Sequence, residues 1–208
     1  MKRNLTLILG AVALIALIGG SYILYNKLSK EYNNGSAFIT NSTPPKETDH
    51  APSTDDSNAP NTSAPTDTYN DYYNFTVTDW EGNEVQLSDM KGKSVILNFW
   101  ASWCPPCKAE MPDFEEAYKE HGEDIVFMMI NLTDGYRETV EKAKNHIKKE
   151  GYTFPVYFDT KSDVAYSFNV SSIPATYLID KNGNVVGSAA GMINKEALAE
   201  AVEILTNR

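Results

Sequence analysis

Val95-Ile96-Leu97-Asn98-Phe99-Trp100-Ala101-Ser102-Trp103-Cys104-Pro105-Pro106-Cys107-Lys108 is the stretch that decides the fold. Val95 to Phe99 is almost wholly apolar with no polar alternation, the pattern of a strand buried on both faces. A helical pattern leaves the stretch, from about Pro105 to Glu120. Between strand and helix stand the only two cysteines of the 208 residues, two positions apart. Strand, sharp turn and dithiol at a helix N-terminus together make a device for generating a reactive thiolate.

Cys104 is expected at the helix N-terminus, where unpaired backbone N–H groups and the macrodipole favour an anion. A thiolate there attacks a disulfide in another protein and forms a mixed disulfide; Cys107, one turn on, attacks that intermediate and releases the reduced partner. Pro105 and Pro106 stiffen the turn, where a missing N–H costs nothing. Two other readings of the pair stand beside this one. A structural zinc site needs about four ligands, and none of His50, His121 and His146 is near the pair in sequence. A plain structural disulfide would close so short a loop that it restrains little of the unfolded chain.

The segment Phe99 to Lys108 resembles the active-site segment of the thioredoxin superfamily. Pro112 matches the proline that kinks that family's active-site helix, and Ile173-Pro174-Ala175-Thr176-Tyr177 resembles the segment carrying its cis-proline. The resemblance covers about Tyr69 to Arg208 and is nearest to the membrane-anchored, extracytoplasmic TlpA/ResA type of thiol-disulfide oxidoreductase. Asn98 stands where cytosolic thioredoxins carry a buried Asp. Glu110 follows Cys107 by three residues, as in the ResA-like pattern Cys-x-x-Cys-Lys-x-Glu. The interval Thr133 to Val170 has room for the helix and strand which that family inserts.

Spacing puts Cys107 and Glu110 on one helix face. Glu110 is then either a solvated acid early in a helix or a partly buried carboxylate that shuttles a proton to a cysteine; the resemblance implies the second. An isolated Ile173-Pro174 reads as trans, whereas the resemblance implies a cis bond presenting the Ile173 backbone to an extended client segment. Trp103, Pro105 and Pro106 are assigned with Ile173 and Pro174 to the surface that meets the client, with a core position for Trp103 as the alternative. Trp100 is read as core.

Lys2 and Arg3 precede an uncharged, apolar stretch from Asn4 to Asn26. As a helix, Leu5 to Tyr25 would be about 31 Å long, enough to cross a bilayer core. Tyr22 to Lys27 makes a poor cleavage site, and no cysteine lies near for lipid attachment. Residues 1–25 are therefore expected to be a signal anchor, a single transmembrane helix. Residues 26–68, rich in Asn, Ser, Thr, Pro and Asp, read as a disordered polar linker spanning about 35 Å as a flexible coil. Lys27 and Lys30 weaken the orientation signal, but a dithiol behind an export-like segment places the catalytic domain outside the bacterial cell membrane, where exposed thiols are readily oxidised.

Residues 69–208 suit one compact domain. Strand-like runs fall at Phe75–Thr78, Val95–Phe99, Ile125–Asn131, Val156–Phe158, Thr176–Ile179 and Val185–Ala189. Helical patterns fall at Pro105–Glu120, Arg137–Glu150, Val164–Phe168 and Lys195–Leu205, and Asp180-Lys181-Asn182-Gly183 reads as a hairpin turn. The expected fold class is α/β and thioredoxin-like. A central mixed sheet is flanked by helices, with an N-terminal extension and a central helix-strand insert, on a transmembrane anchor. This domain carries 22 acidic and 13 basic residues, which argues against nucleic acid as a ligand. Lys142, Lys144, Lys148 and Lys149 with Glu141 and Glu150 read as one solvated helix face.

The expected function is an extracytoplasmic thiol-disulfide oxidoreductase that reduces disulfides in exported clients. By resemblance, clients include apocytochromes c and other thiol proteins, and electrons come from a membrane donor of the CcdA/DsbD kind. The reading calls for no cofactor and no metal. A disulfide-forming oxidase shares the architecture and is the main alternative. A peroxidase would need the arrangement Pro-x-x-x-Thr-x-x-Cys, which the residues before Cys104 lack. A copper-delivery module commonly has a differently spaced Cys pair with a companion His.

Overall fold

The computed structural model describes residues 38–39 and 74–207. The signal anchor read at 1–25, and all of the 26–68 linker but Phe38 and Ile39, lie outside the described residues. Among the described residues no helix is long and apolar enough to cross a membrane.

The centre of the domain is β3, Ser94–Trp100, in which all seven residues are buried. It lies parallel to β4 (Ile125–Leu132) from Ser94↔Ile125 to Trp100↔Asn131, and antiparallel to β6 (Ala175–Ile179) from Val95↔Ile179 to Phe99↔Ala175. Outward on one side come β5 (Val156–Asp159), then β1 (Thr76–Thr78), then β2 (Glu84–Gln86); on the other side comes β7 (Val185–Ala190). The sheet is thus seven-stranded and mixed, ordered β2-β1-β5-β4-β3-β6-β7. Strands covered on both faces need no polar alternation, which is why β3 reads as an almost wholly apolar run.

The covering helices are α1 (Pro105–His121), α2 (Val140–Glu150), α3 (Asp163–Ser167) and α4 (Lys195–Thr206). One core joins Ile96, Trp100 and Phe127 of the sheet to Met111 and Phe114 of α1, Ile147 of α2 and Leu198 of α4. The other joins Leu97, Phe99 and Met128 to Phe75, Leu87, Val164 and Phe168. In α1, Cys107, Glu110, Met111, Phe114 and Glu115 are the buried positions, a stripe at helical spacing. The buried acid at its end, Glu115, accepts from Thr153 N–H at 2.7 Å and Thr153 Oγ at 2.7 Å.

Three local features differ from the sequence reading. The helix expected from Arg137 begins at Val140, because the Thr139 side chain caps it by accepting from Lys142 N–H and the preceding residues are bound into a turn. In that turn Asp134 Oδ1 accepts from Tyr136 N–H at 2.8 Å and Glu138 N–H at 2.9 Å. β1 falls within the expected run Phe75–Thr78, but its hairpin partner β2 was not legible, since Glu84-Val85-Gln86 offers only one apolar residue. Lys144 is also not simply solvated. Its Nζ donates to the Trp80 carbonyl and lies 5.3 Å from the Trp80 ring.

Candidate active site

Cys104 is the N-cap of α1, with Pro105 and Pro106 in the first turn. It is joined to Cys107 by a disulfide whose Cα atoms are 5.3 Å apart. The Cys107 N–H points at Cys104 Sγ across 3.2 Å, so the helix aims a backbone donor at the sulfur that would carry charge after reduction. Both cysteines are buried, whereas Pro105 and Pro106 are exposed beside them.

Facing the dithiol is the turn before β6. The Ile173–Pro174 bond is cis, as the resemblance implied, and the Ile173 carbonyl oxygen lies 3.8 Å from Cys104 Sγ. Pro174 is buried and Ile173 half-buried. The Pro174 carbonyl accepts from Gly191 N–H at 2.8 Å, tying this turn to the loop after β7.

Glu110 is 1% exposed, so the solvated reading of this residue does not hold. Its Oε1 accepts from Asn98 Nδ2 at 2.9 Å and its Oε2 from Ile193 N–H at 2.9 Å. Asn98 Nδ2 also donates to Thr176 Oγ at 3.2 Å, while Asn98 Oδ1 is buried without a partner. Burial pushes the Glu110 carboxyl up from 4.5 to about 7, against the pull of the Ile193 and Asn98 hydrogen bonds. A carboxyl at that value exchanges protons readily near neutrality.

The loop ahead of the dithiol is held by residues that sequence reasoning missed. Glu138 is fully buried. Its Oε1 accepts from Ser102 N–H at 2.9 Å and Asn131 Nδ2 at 2.8 Å, and its Oε2 from Ser102 Oγ at 2.7 Å. Its neighbour Arg137 places its guanidinium 3.4 Å from the centroid of the Trp103 ring. Trp103 is 37% exposed and Trp100 fully buried. No pattern in the sequence singles out Glu138, because its partners meet it only through the fold. Among the described residues no cluster of three or more His, Cys, Asp or Glu is arranged to hold a metal.

A mixed sheet with a dithiol capping a helix, opposed by a cis-proline turn, defines a thioredoxin-like redox protein. Residues 69–188 match the AhpC/TSA family. The chain is 39% identical over 136 residues to thiol-disulfide oxidoreductase ResA of Bacillus thuringiensis subsp. konkukian, a match covering 64% of this chain and 75% of that protein. Among solved structures it resembles StoA from Bacillus subtilis, with TM-score 0.56 and 29% identity over 62% of this chain and 96% of StoA. It also resembles the exposed lipoprotein thioredoxin Etrx1 from Streptococcus pneumoniae strain TIGR4, with TM-score 0.55 and 34% identity over 64% of this chain and 99% of Etrx1. The chain belongs to the AhpC/TSA family, as a thioredoxin-like thiol-disulfide oxidoreductase of the ResA kind.

Proposed function

We propose that this oxidoreductase is a reductase of exported proteins, held at the outer side of a bacterial cell membrane by its first 25 residues. In the reduced enzyme the Cys104 thiolate attacks one sulfur of a client disulfide, and the client's other sulfur leaves as a thiolate that takes a proton from water. Cys107 then gives its proton to the Glu110 carboxylate and attacks Cys104 Sγ. The second client sulfur departs, two electrons have passed to the client, and the enzyme is left as the Cys104–Cys107 disulfide. A membrane dithiol donor of the CcdA/DsbD kind restores the dithiol by the same exchange in reverse. The Ile173–Pro174 turn receives the extended client segment, with Trp103, Pro105 and Pro106 as its rim. Exported thiol proteins, apocytochromes c among them, are the client class.

The observation that carries the direction of flow is the buried carboxylate three residues after Cys107. An anion on that face disfavours a Cys107 thiolate and so works against the thiolate stabilisation that makes a strong oxidant. Asn98 fits the proton-handling role, because its amide can meet either state of Glu110. Nδ2 donates to the carboxylate, and the unpartnered Oδ1 can accept from the carboxylic acid after the amide turns. The test is the reduction potential of Cys104/Cys107 in the full chain, equilibrated with a dithiol buffer. A value near −270 mV, about that of thioredoxin, supports a reductase; one near −120 mV, about that of DsbA, overturns the direction in favour of an oxidase.

A further inference from the structure

Trp103 belongs to the rim assigned to the client, and it is 37% exposed. One face of its ring is already covered. The Arg137 guanidinium stands 3.4 Å from the ring centroid, the separation of stacked planar groups, and cation–π attraction holds it there. A client segment that passes Trp103 on its way to Cys104 meets this arginine.

The fold fixes Arg137 from behind. Ser102 and Trp103 lie just before Cys104, and Glu138 and Arg137 face them residue for residue. Glu138 accepts from Ser102 N–H at 2.9 Å and Ser102 Oγ at 2.7 Å, while Arg137 covers Trp103. The backbone on either side is bound as well. Gly135 N–H donates to the Glu138 carbonyl at 2.9 Å, and Lys142 Nζ to the Arg137 carbonyl at 2.9 Å. A long side chain ordinarily loses much rotamer freedom on binding; stacked on a ring, Arg137 has given up part of it already.

The guanidinium has no anion of its own. Both carboxylates of its loop are engaged elsewhere, Asp134 on the Tyr136 and Glu138 N–H groups and the buried Glu138 on Ser102 and Asn131. Among the described residues no acceptor meets Arg137, whose side chain is exposed. Its N–H donors lie in the plane of the group and are left facing outward, a fork that matches a carboxylate. The domain as a whole carries 22 acidic and 13 basic residues, which favours cationic clients at a distance. Exposed charges more than about 8–10 Å away are largely screened by salt, so beside Trp103 the arginine outweighs the remote excess.

We infer that Arg137 is a specificity-determining residue, which seats the carboxylate of an Asp or Glu flanking the attacked cysteine of the client. The inference rests on the reading of Trp103 as client rim given above. It does not rest on the direction of electron flow, because reduction and oxidation pass through the same mixed disulfide.

The test uses the full chain and a peptide with a single cysteine, joined to a second copy of itself by a disulfide, with either Glu or Gln on both sides of the cysteine. The reduced chain converts the dimer to two peptide thiols and is left as the Cys104–Cys107 disulfide. The Glu/Gln ratio of second-order rate constants is divided by the same ratio for a small uncharged dithiol, which removes the effect of the charges on the peptide disulfide itself. Wild type should prefer Glu at least about threefold, the size of one exposed ion pair. Arg137→Met, which keeps an unbranched side chain over Trp103, should abolish the preference. Arg137→Lys, a charge without the planar fork, should fall between the two. A general disturbance of the dithiol slows both peptides alike and leaves the ratio unmoved. A preference that survives in Arg137→Met, or that wild type lacks, therefore overturns the inference. If the dithiol proves to be an oxidant, the same ratio is read from attack of the peptide thiol on the oxidised chain and decides Arg137 by itself.

Discussion

Replacing Glu110 with glutamine should change how stability depends on pH more than how stable the domain is at pH 5. Glu110 is 1% exposed, and burial raises its carboxyl from 4.5 to about 7. The folded chain therefore holds this proton more tightly than the unfolded chain does. Its contribution to stability is fully present below pH 4.5 and is lost as pH rises through about 7. The gap between the two values corresponds to about 3 kcal/mol. Glutamine keeps the size of the side chain and does not titrate. Its oxygen can still accept from Ile193 N–H, and a turned Asn98 can offer its unpartnered Oδ1 to the new amide. Urea unfolding of the oxidised full chain at pH 5, 6, 7 and 8 measures the effect. Wild type should lose about 2.5 kcal/mol relative to Glu110→Gln between pH 5 and 8. All other titrating groups are common to both chains, so the difference between the curves isolates Glu110. Curves that stay parallel to within about 0.5 kcal/mol refute the burial argument.

Two other substitutions probe the rest of the site. Cys107→Ser should abolish turnover yet accumulate a mixed disulfide between Cys104 and the client, visible on a non-reducing gel; a chain that turns over normally, or traps nothing, removes Cys107 from the resolving role. Glu138→Ala should cost about 2–4 kcal/mol in urea unfolding at pH 7, since it strips the Ser102 amide and hydroxyl and the Asn131 amide of their acceptor. A loss below about 0.5 kcal/mol would mean that the buried carboxylate holds nothing together.

What could be read in the sequence was what depends on near neighbours along the chain. The seven residues of β3 are all buried, so their composition alone announces the strand. The Asp180 turn is similarly self-contained, its side chain accepting from Asn182 and Asn184 N–H groups at 2.9 Å each. Glu110 was placed on the Cys107 face by spacing, but its burial depends on Ile193, 83 residues away. The grip of Glu138 on Ser102 crosses 36 residues, and the backbone pairing of Ile39 with Ser188 far more. Such contacts leave no local periodicity. A lone phenylalanine in a polar stretch looks the same whether it is solvated or docked.

The way Glu110 is held explains why an acid occupies this position. One oxygen is bound to the central strand through Asn98 and the other to Ile193. Two residues before Ile193, Gly191 binds the Pro174 carbonyl of the turn that faces Cys104. Glu110 and the turn that faces Cys104 are therefore fastened to the same short loop. An apolar side chain here would leave the Ile193 N–H and one N–H of the Asn98 amide buried without acceptors, a cost of about 1–3 kcal/mol for each. A cation would satisfy neither donor and would favour the Cys107 thiolate, shifting the dithiol toward an oxidant. A carboxylate satisfies both donors, and hydrogen bonds to a charged acceptor are roughly twice as strong as those between neutral groups. When Glu110 takes up a proton, the bond to Ile193 loses that charge assistance, so the hold on the loop beside Pro174 weakens.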